Sequence, residues 1–333
     1  MSFESARKKG RKFLNPIPTD EVSFGNILPM LKEYINNKAE TVPKRTLGPF
    51  KTDTSIYETP PANGLRITWI GHSSLLIEID GKRILTDPVW SERASFLSFM
   101  GPKRFFEAPL PLYDLPPLDA ILISHDHYDH LDKHTIKYFA DKQIPFFCSK
   151  DVGVHLENWG VLRNFITELD WGDSAMITVD CVLTATPARH FSGRGIAGRN
   201  ETLWASFVIK TPQHNIFYGA DSGWFPGFKE IGELYGPFDL TMLEIGAYGK
   251  YWPDIHMGPD HASNAHIALK GKLMMPIHWG TFNLALHAWY EPMERLLQYA
   301  KEKNIKLFIP EPGKPTEVNG PLNSEWWVAS RKF

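Results

Sequence analysis

Cysteine is nearly missing from this chain. Cys148 and Cys181 are the only two in 333 residues, and both sit in apolar, strand-like runs, "IPFFCS" and "DCVLTAT". A disulfide-stapled scaffold is therefore excluded, and two buried thiols in a reducing compartment are expected. Long apolar runs are missing too: none approaches the roughly 18 residues of a membrane-spanning helix. The N-terminal "MSFESARKKGRKFLNPIP" has basic residues without an apolar stretch behind them, so it does not read as a secretory signal. As a mitochondrial presequence it is short, carries Glu4 and meets Pro16 and Pro18. The cytoplasm is the expected location. The net charge of −2 argues against a protein that coats nucleic acid. Internal repeats and low-complexity tracts are also lacking.

The remainder is ordinary for a globular chain, with 43% apolar and 22% charged residues. Residues 1–60 read as a polar N-terminal extension with one helix within "TDEVSFGNILPMLKEYINN", and no linker divides residues 61–333. Short apolar runs, "LRITWI", "SSLLIEID", "KRILTD" and "LDAILIS", open that second part, and Asp80-Gly81 marks a hairpin. Further strands follow, "IPFFCS" to "NIFYGADSG", then strand–helix alternation through "DLTMLEIG", "LMMPIHWG" and "EPMERLLQYAKEK". This order predicts one domain of two packed sheets with helices outside.

Against that background "ILISHDHYDHLD", residues 121–132, stands out. An apolar strand runs into His125, His127, Asp129 and His130, with Asp132 as the cap of a following helix. On such a loop alternate side chains converge, so His125 and His127 can share one ion while Asp129 and His130 face a second. Neutral imidazole and carboxylate suit Zn²⁺ or another borderline divalent ion. Later strands end in the same kind of residue: His190 after "TATPAR", Asp221 after "IFYGA" and His278 after "MMPI". Any one alone would be an ordinary polar stop. Together they are what distant segments need to pool ligands at one sheet edge.

The segments "WIGHSSLLIEIDGKRILTDPVWSERAS", "GPKRFF", "HYDHLD", "PARHFS", "GADSGW" and "IHWGTF" carry a resemblance over residues 65–295. The chain resembles the metallo-β-lactamase fold superfamily, and within it the N-acyl-phosphatidylethanolamine-hydrolysing phospholipase D branch. The resemblance implies a four-layer αββα sandwich of the α/β (α+β) class with two zinc ions. His125, His127 and His190 would hold one ion, Asp129, His130 and His278 the other, and Asp221 would bridge them. It also implies a phosphodiesterase acting on a phospholipid, and a homodimer. Two cations sharing a water lower its pKa toward neutrality. Asp129 would orient that water, and His256, in "WPDIHMGPDH", would polarise the phosphoryl group or assist the leaving group.

Basic residues near the expected mouth, Lys103, Arg104 and Arg194, with Arg189 and Arg199, suit phosphate oxygens, or are solvated loop charges. Gly193, Gly195 and Gly198 read as a lid or as a common glycine-rich loop. The aromatic stretch "FLSFMGPKRFF", residues 96–106, either meets a lipid surface transiently or packs inside. Fold and metals do not fix the scissile bond, so a lactone, ester or amide hydrolase is the alternative. A nuclease fits less well, and a non-hydrolytic metal protein is a third class.

Overall fold

The structure is a computed structural model that describes residues 3–21, 25, 27–97, 99–195 and 198–329. Ser98, Ile196 and Ala197, which belong to the expected aromatic stretch and glycine-rich loop, lie outside the described residues.

Two sheets form the body. The first has seven strands in the order Thr316–Glu317, Leu65–Gly71, Ser74–Ile79, Lys82–Thr86, Ala120–Ile123, Phe146–Ser149 and Ile166–Leu169. The second has six: Gly271–Ile277, Phe238–Glu244, Asn215–Tyr218, Ser206–Lys210, Cys181–Thr186 and Ser174–Thr178. Each combines antiparallel pairs, among them the hairpins, with parallel pairs joined by longer crossovers. Asp80 and Gly81, both at positive φ, close the hairpin that pairs Ile79 with Lys82.

The apolar runs are continuous because both faces of the sheets are covered. Leu75 and Ile77 point into the core between the sheets, with Trp69, Phe207, Phe217 and Met242, whereas Leu76 between them joins the opposite face. That face packs under the helices Lys133–Phe139 and Gly153–Asn158 through Ile136, Phe139 and Leu156. Helices Gly227–Leu234, Pro259–Ala268 and Glu291–Glu302 bring Phe228, Ala265 and Leu296 to the core around the second sheet. The layers are αββα, and both cysteines are free and buried in strands. Among the described residues no helix is long and apolar enough to cross a membrane.

The N-terminal helix covers Ile27–Asn36, and residues 22–24 and 26 of its expected span lie outside the described residues. Ile166–Leu169, which the apolar pattern did not reveal, adds an edge strand to the first sheet. Its middle residues, Thr167 and Glu168, are not buried.

Candidate metal centre

Parallel pairing puts several strand ends at one edge. Thr86 pairs with Leu122, so Asp87 and Ser124 emerge side by side. Glu244 pairs with Ile277, which brings His278 beside Glu244. The loop after Ala120–Ile123 then turns back on itself, with the amides of His130 and Leu131 donating to the His127 carbonyl. Asp132 caps the next helix through the His134 amide at 3.1 Å.

Two clusters of ligand atoms result. In one, His127 Nδ1 is 2.9 Å from His125 Nε2 and 3.2 Å from His190 Nε2. Asp221 Oδ2 lies 3.9 and 3.7 Å from the latter two nitrogens. In the other, Asp129 Oδ2 is 3.6 Å from His130 Nε2 and 3.3 Å from His278 Nε2. Asp221 reaches this cluster too, with Oδ1 3.2 Å from His130 Nε2 and Oδ2 3.1 Å from His278 Nε2. The seven residues expected from the sequence are therefore brought together, with Asp221 between the two groups.

The donor atoms fit a pair of divalent cations. Ligands about 2.0–2.1 Å from a tetrahedral ion sit about 3.3–3.4 Å apart, and most of the separations above cluster near that value. His130 Nε2, Asp221 Oδ1 and His278 Nε2 are buried without a hydrogen-bond partner although they approach one another. Orphaned buried polar atoms are costly unless something else satisfies them.

Hydrogen bonds fix which nitrogens face inward. His130 Nδ1 donates to Asp87 Oδ2 at 2.7 Å, leaving Nε2 bare. The Ser124 hydroxyl gives its one proton to Asp87 Oδ2, so it must accept from His125 Nδ1 at 2.9 Å. That likewise leaves His125 Nε2 bare. His190 Nδ1 donates to the Ile255 carbonyl at 2.8 Å. Such outer partners orient metal-ligating imidazoles.

Burial, reinforced by neighbouring imidazoles, holds His125 and His190 well below the usual histidine range, in the neutral form that ligates. Burial works the same way on His130 and His278, but the Asp221 and Asp129 carboxylates outweigh it. His278 is pushed up to about 10 and His130 well above its ordinary value. Burial opposes the charge on Asp221, yet His130 and His278 keep it well below the usual carboxylate range. The buried carboxylates thus demand positive charge where the bare nitrogens meet.

Three residues that sequence reasoning did not single out complete the site. Asp87 accepts from His130, from the Ser124 hydroxyl and amide, and from the Tyr218 hydroxyl at 2.6 Å. His72, at φ 56°, places Nε2 2.9 Å from Asp129 Oδ2. Glu244 accepts from His256 Nδ1 at 2.7 Å and from the Ser222 amide. The His256 ring stands 4.9 Å from that of His190 and 5.3 Å from that of His278.

Of the expected phosphate-binding residues, Arg104 faces the protein interior, whereas Arg194 lines a cavity beside Tyr128. Arg104 is buried and donates to the carbonyls of Ile70, Val89 and Phe106. Arg194 lies over Tyr128 and Trp159 and donates to the carbonyls of Asp126 and Leu131. Both guanidinium groups are taken up by backbone carbonyls. Lys103 is exposed and paired with Glu92 at 2.6 Å. Arg189 and Arg199 bind the N-terminal segment.

A model described as the β-lactamase superfamily domain matches residues 82–279. The chain belongs to that superfamily. An uncharacterised Mycobacterium tuberculosis protein is 47% identical over 274 residues, 80% of this chain and 72% of its own length. The N-acyl-phosphatidylethanolamine-hydrolyzing phospholipase D 1 of Caenorhabditis elegans is 38% identical over 250 residues, 70% of this chain and 69% of its own. Among solved structures, an isothiocyanate hydrolase from Delia radicum gut bacteria superposes with a TM-score of 0.61 at 20% identity, covering 75% of this chain and 98% of that one. That likeness speaks for the fold alone. Within the superfamily the chain falls in the branch of the nematode enzyme, and it is a metal-dependent hydrolase.

Proposed function

We propose that this protein is a zinc-dependent phosphodiesterase of phospholipase D type. Its substrate would be an N-acylated phosphatidylethanolamine or a related phospholipid, cleaved to phosphatidic acid and the N-acylated amino alcohol. The observation that carries the reading is Asp221 shared between two clusters of imidazole and carboxylate atoms, in a chain 38% identical to an enzyme named for that reaction. In this reading His125, His127 and His190 would hold one Zn²⁺ and Asp129, His130 and His278 the other, with Asp221 available to both.

When bound, the two ions supply a water of lowered pKa and a positive field for the phosphoryl oxygens. Asp129, anchored by His72, orients the attacking water. Water oxygen bonds to phosphorus as the ester bond from phosphorus to the amino-alcohol oxygen breaks. His256, its Nδ1 held by Glu244, delivers a proton from Nε2 to the departing oxygen.

The surroundings favour an anionic, lipid-like substrate. A cavity of about 770 Å³ adjoins the loop at Tyr128, walled by Phe96 and Trp159, with Arg93, Lys133, Lys137 and Arg194 outnumbering Glu92 and Asp132 in its lining. Phe96, Phe99 and Met100 are 79%, 72% and 58% exposed, which suits transient contact with a lipid surface rather than internal packing.

Purified, zinc-loaded protein offered bis-p-nitrophenyl phosphate, a lactone panel and N-acylated phosphatidylethanolamine in detergent micelles tests the reading. Cleavage of the lipid at its amino-alcohol ester is expected. Lactone turnover without diester cleavage would overturn it in favour of a lactonase.

A further inference from the structure

His190 lies in a loop beyond the end of its strand. Cys181–Thr186 ends four residues before it, and the match to the superfamily domain begins at residue 82. The peptide of His190 is nevertheless fixed from both sides by the N-terminal segment. Asn15 Nδ2 donates to the His190 carbonyl at 2.7 Å, and the His190 amide donates to Asn15 Oδ1 at 2.9 Å. One side-chain amide thus takes up both polar groups of this backbone unit, as a neighbouring strand would.

The same segment grips the flanks. The Pro18 carbonyl and the Thr19 hydroxyl accept from Arg189, the residue before His190, at 2.8 and 3.0 Å. The Asp20 amide donates to Asp254 Oδ2, which also pairs with Arg189 at 2.6 Å. Asp254 precedes Ile255, whose carbonyl holds the His190 ring. Glu21 accepts from Arg199 and Asn200, and the buried Phe13 donates its amide to the Asn200 carbonyl. Backbone and ring of His190 are therefore set by contacts that converge on residues 13–21.

We propose that Asn15 is a positioning residue for the ion held by His125, His127 and His190, which makes the N-terminal segment a working part of the metal centre. The proposal rests on the reading of that centre given above. Without the clamp the His190 peptide has no fixed register relative to His127, and the ion loses one well-placed nitrogen. Outer contacts of this kind are worth about 10- to 100-fold in metal affinity.

The test uses the full chain, loaded with zinc and titrated with a chromophoric chelator, alongside thermal unfolding. In Asn15→Ala one of the two ions should be withdrawn at least about tenfold more easily. Asn15→Asp keeps the acceptor for the His190 amide but turns a carboxylate oxygen toward the His190 carbonyl, so it should lose that ion as readily. Arg11→Ala, which removes only an exposed pair with Glu201 in the same segment, should bind both ions as the parent does. Loss of thermal stability in Asn15→Ala and Asn15→Asp with both ions held at parental affinity would overturn the proposal and leave Asn15 a purely structural tie. A parent protein that binds no zinc pair would instead overturn the reading of the centre, and this proposal with it.

Discussion

Asp87 Oδ2 lies 2.7 Å from His130 Nδ1, and neither side chain is reachable by water. That carboxylate also accepts from Ser124 and Tyr218, so a single buried group determines how two of the histidines face. Asp87→Ala removes the acceptor and frees both rings to rotate. Zinc affinity measured by chelator competition should fall about 10- to 100-fold, with the far-ultraviolet circular dichroism of the parent retained. Unchanged affinity would mean that the bare nitrogens do not face an ion.

The two clusters make separable demands. Asp129 and His278 belong to one of them, and Asp221 lies within 3.9 Å of nitrogens in both. Dialysed Asp129→Ala and His278→Ala should each retain about one zinc ion per chain by mass spectrometry, against about two in the parent. Full occupancy in both variants would show that the ligand grouping is wrong.

The seven candidate ligands were legible because each closes or follows an apolar run, where a titratable side chain is conspicuous. Asp87, His72 and Glu244 carry the same mark, at the ends of Lys82–Thr86, Leu65–Gly71 and Phe238–Glu244. They escaped notice because their roles depend on contacts between strands, such as the Thr86–Leu122 pairing that sets Asp87 against Ser124. The inward turn of Arg104 is illegible in the sequence for a different reason. A guanidinium turns toward whichever carbonyls the loops leave open, and no spacing in the chain encodes that. The bonds of the N-terminal segment to Arg189, His190 and Asp254 are illegible in the sequence because they span more than 170 positions.

His256 and Glu244 form a pair that can be tested through chemistry. Glu244→Gln keeps the shape but no longer offers a carboxylate to hold the His256 proton. Turnover number should fall about 100-fold or more with KM changed little, because the interaction matters only as the leaving group departs. A rise in KM at unchanged turnover number would reassign the pair to substrate binding.

Arg104 makes the opposite prediction. Its three carbonyl partners are buried, so Arg104→Met strands them. Each unsatisfied group costs about 1–3 kcal/mol, and a loss of about 3 kcal/mol in urea denaturation is expected. KM for an anionic diester should stay within about twofold, since the guanidinium faces the protein and not the mouth. A large rise in KM at unchanged stability would restore the arginine as a substrate ligand.

His266 gives the fold a pH dependence remote from the metal centre. It lies on Pro259–Ala268, its Nδ1 2.8 Å from Thr241 Oγ1, and burial holds its pKa down to about 4. The unfolded chain, with an ordinary histidine near 6.5, takes up a proton first as pH falls. Stability from this group is therefore complete above pH 6.5 and declines progressively toward pH 4, by at most about 3 kcal/mol. His266→Gln has no such proton to gain. Its deficit relative to the parent in urea midpoint should be greatest at pH 7 and should shrink by pH 5. A deficit that stays constant over that range would show that the imidazole titrates alike in both states.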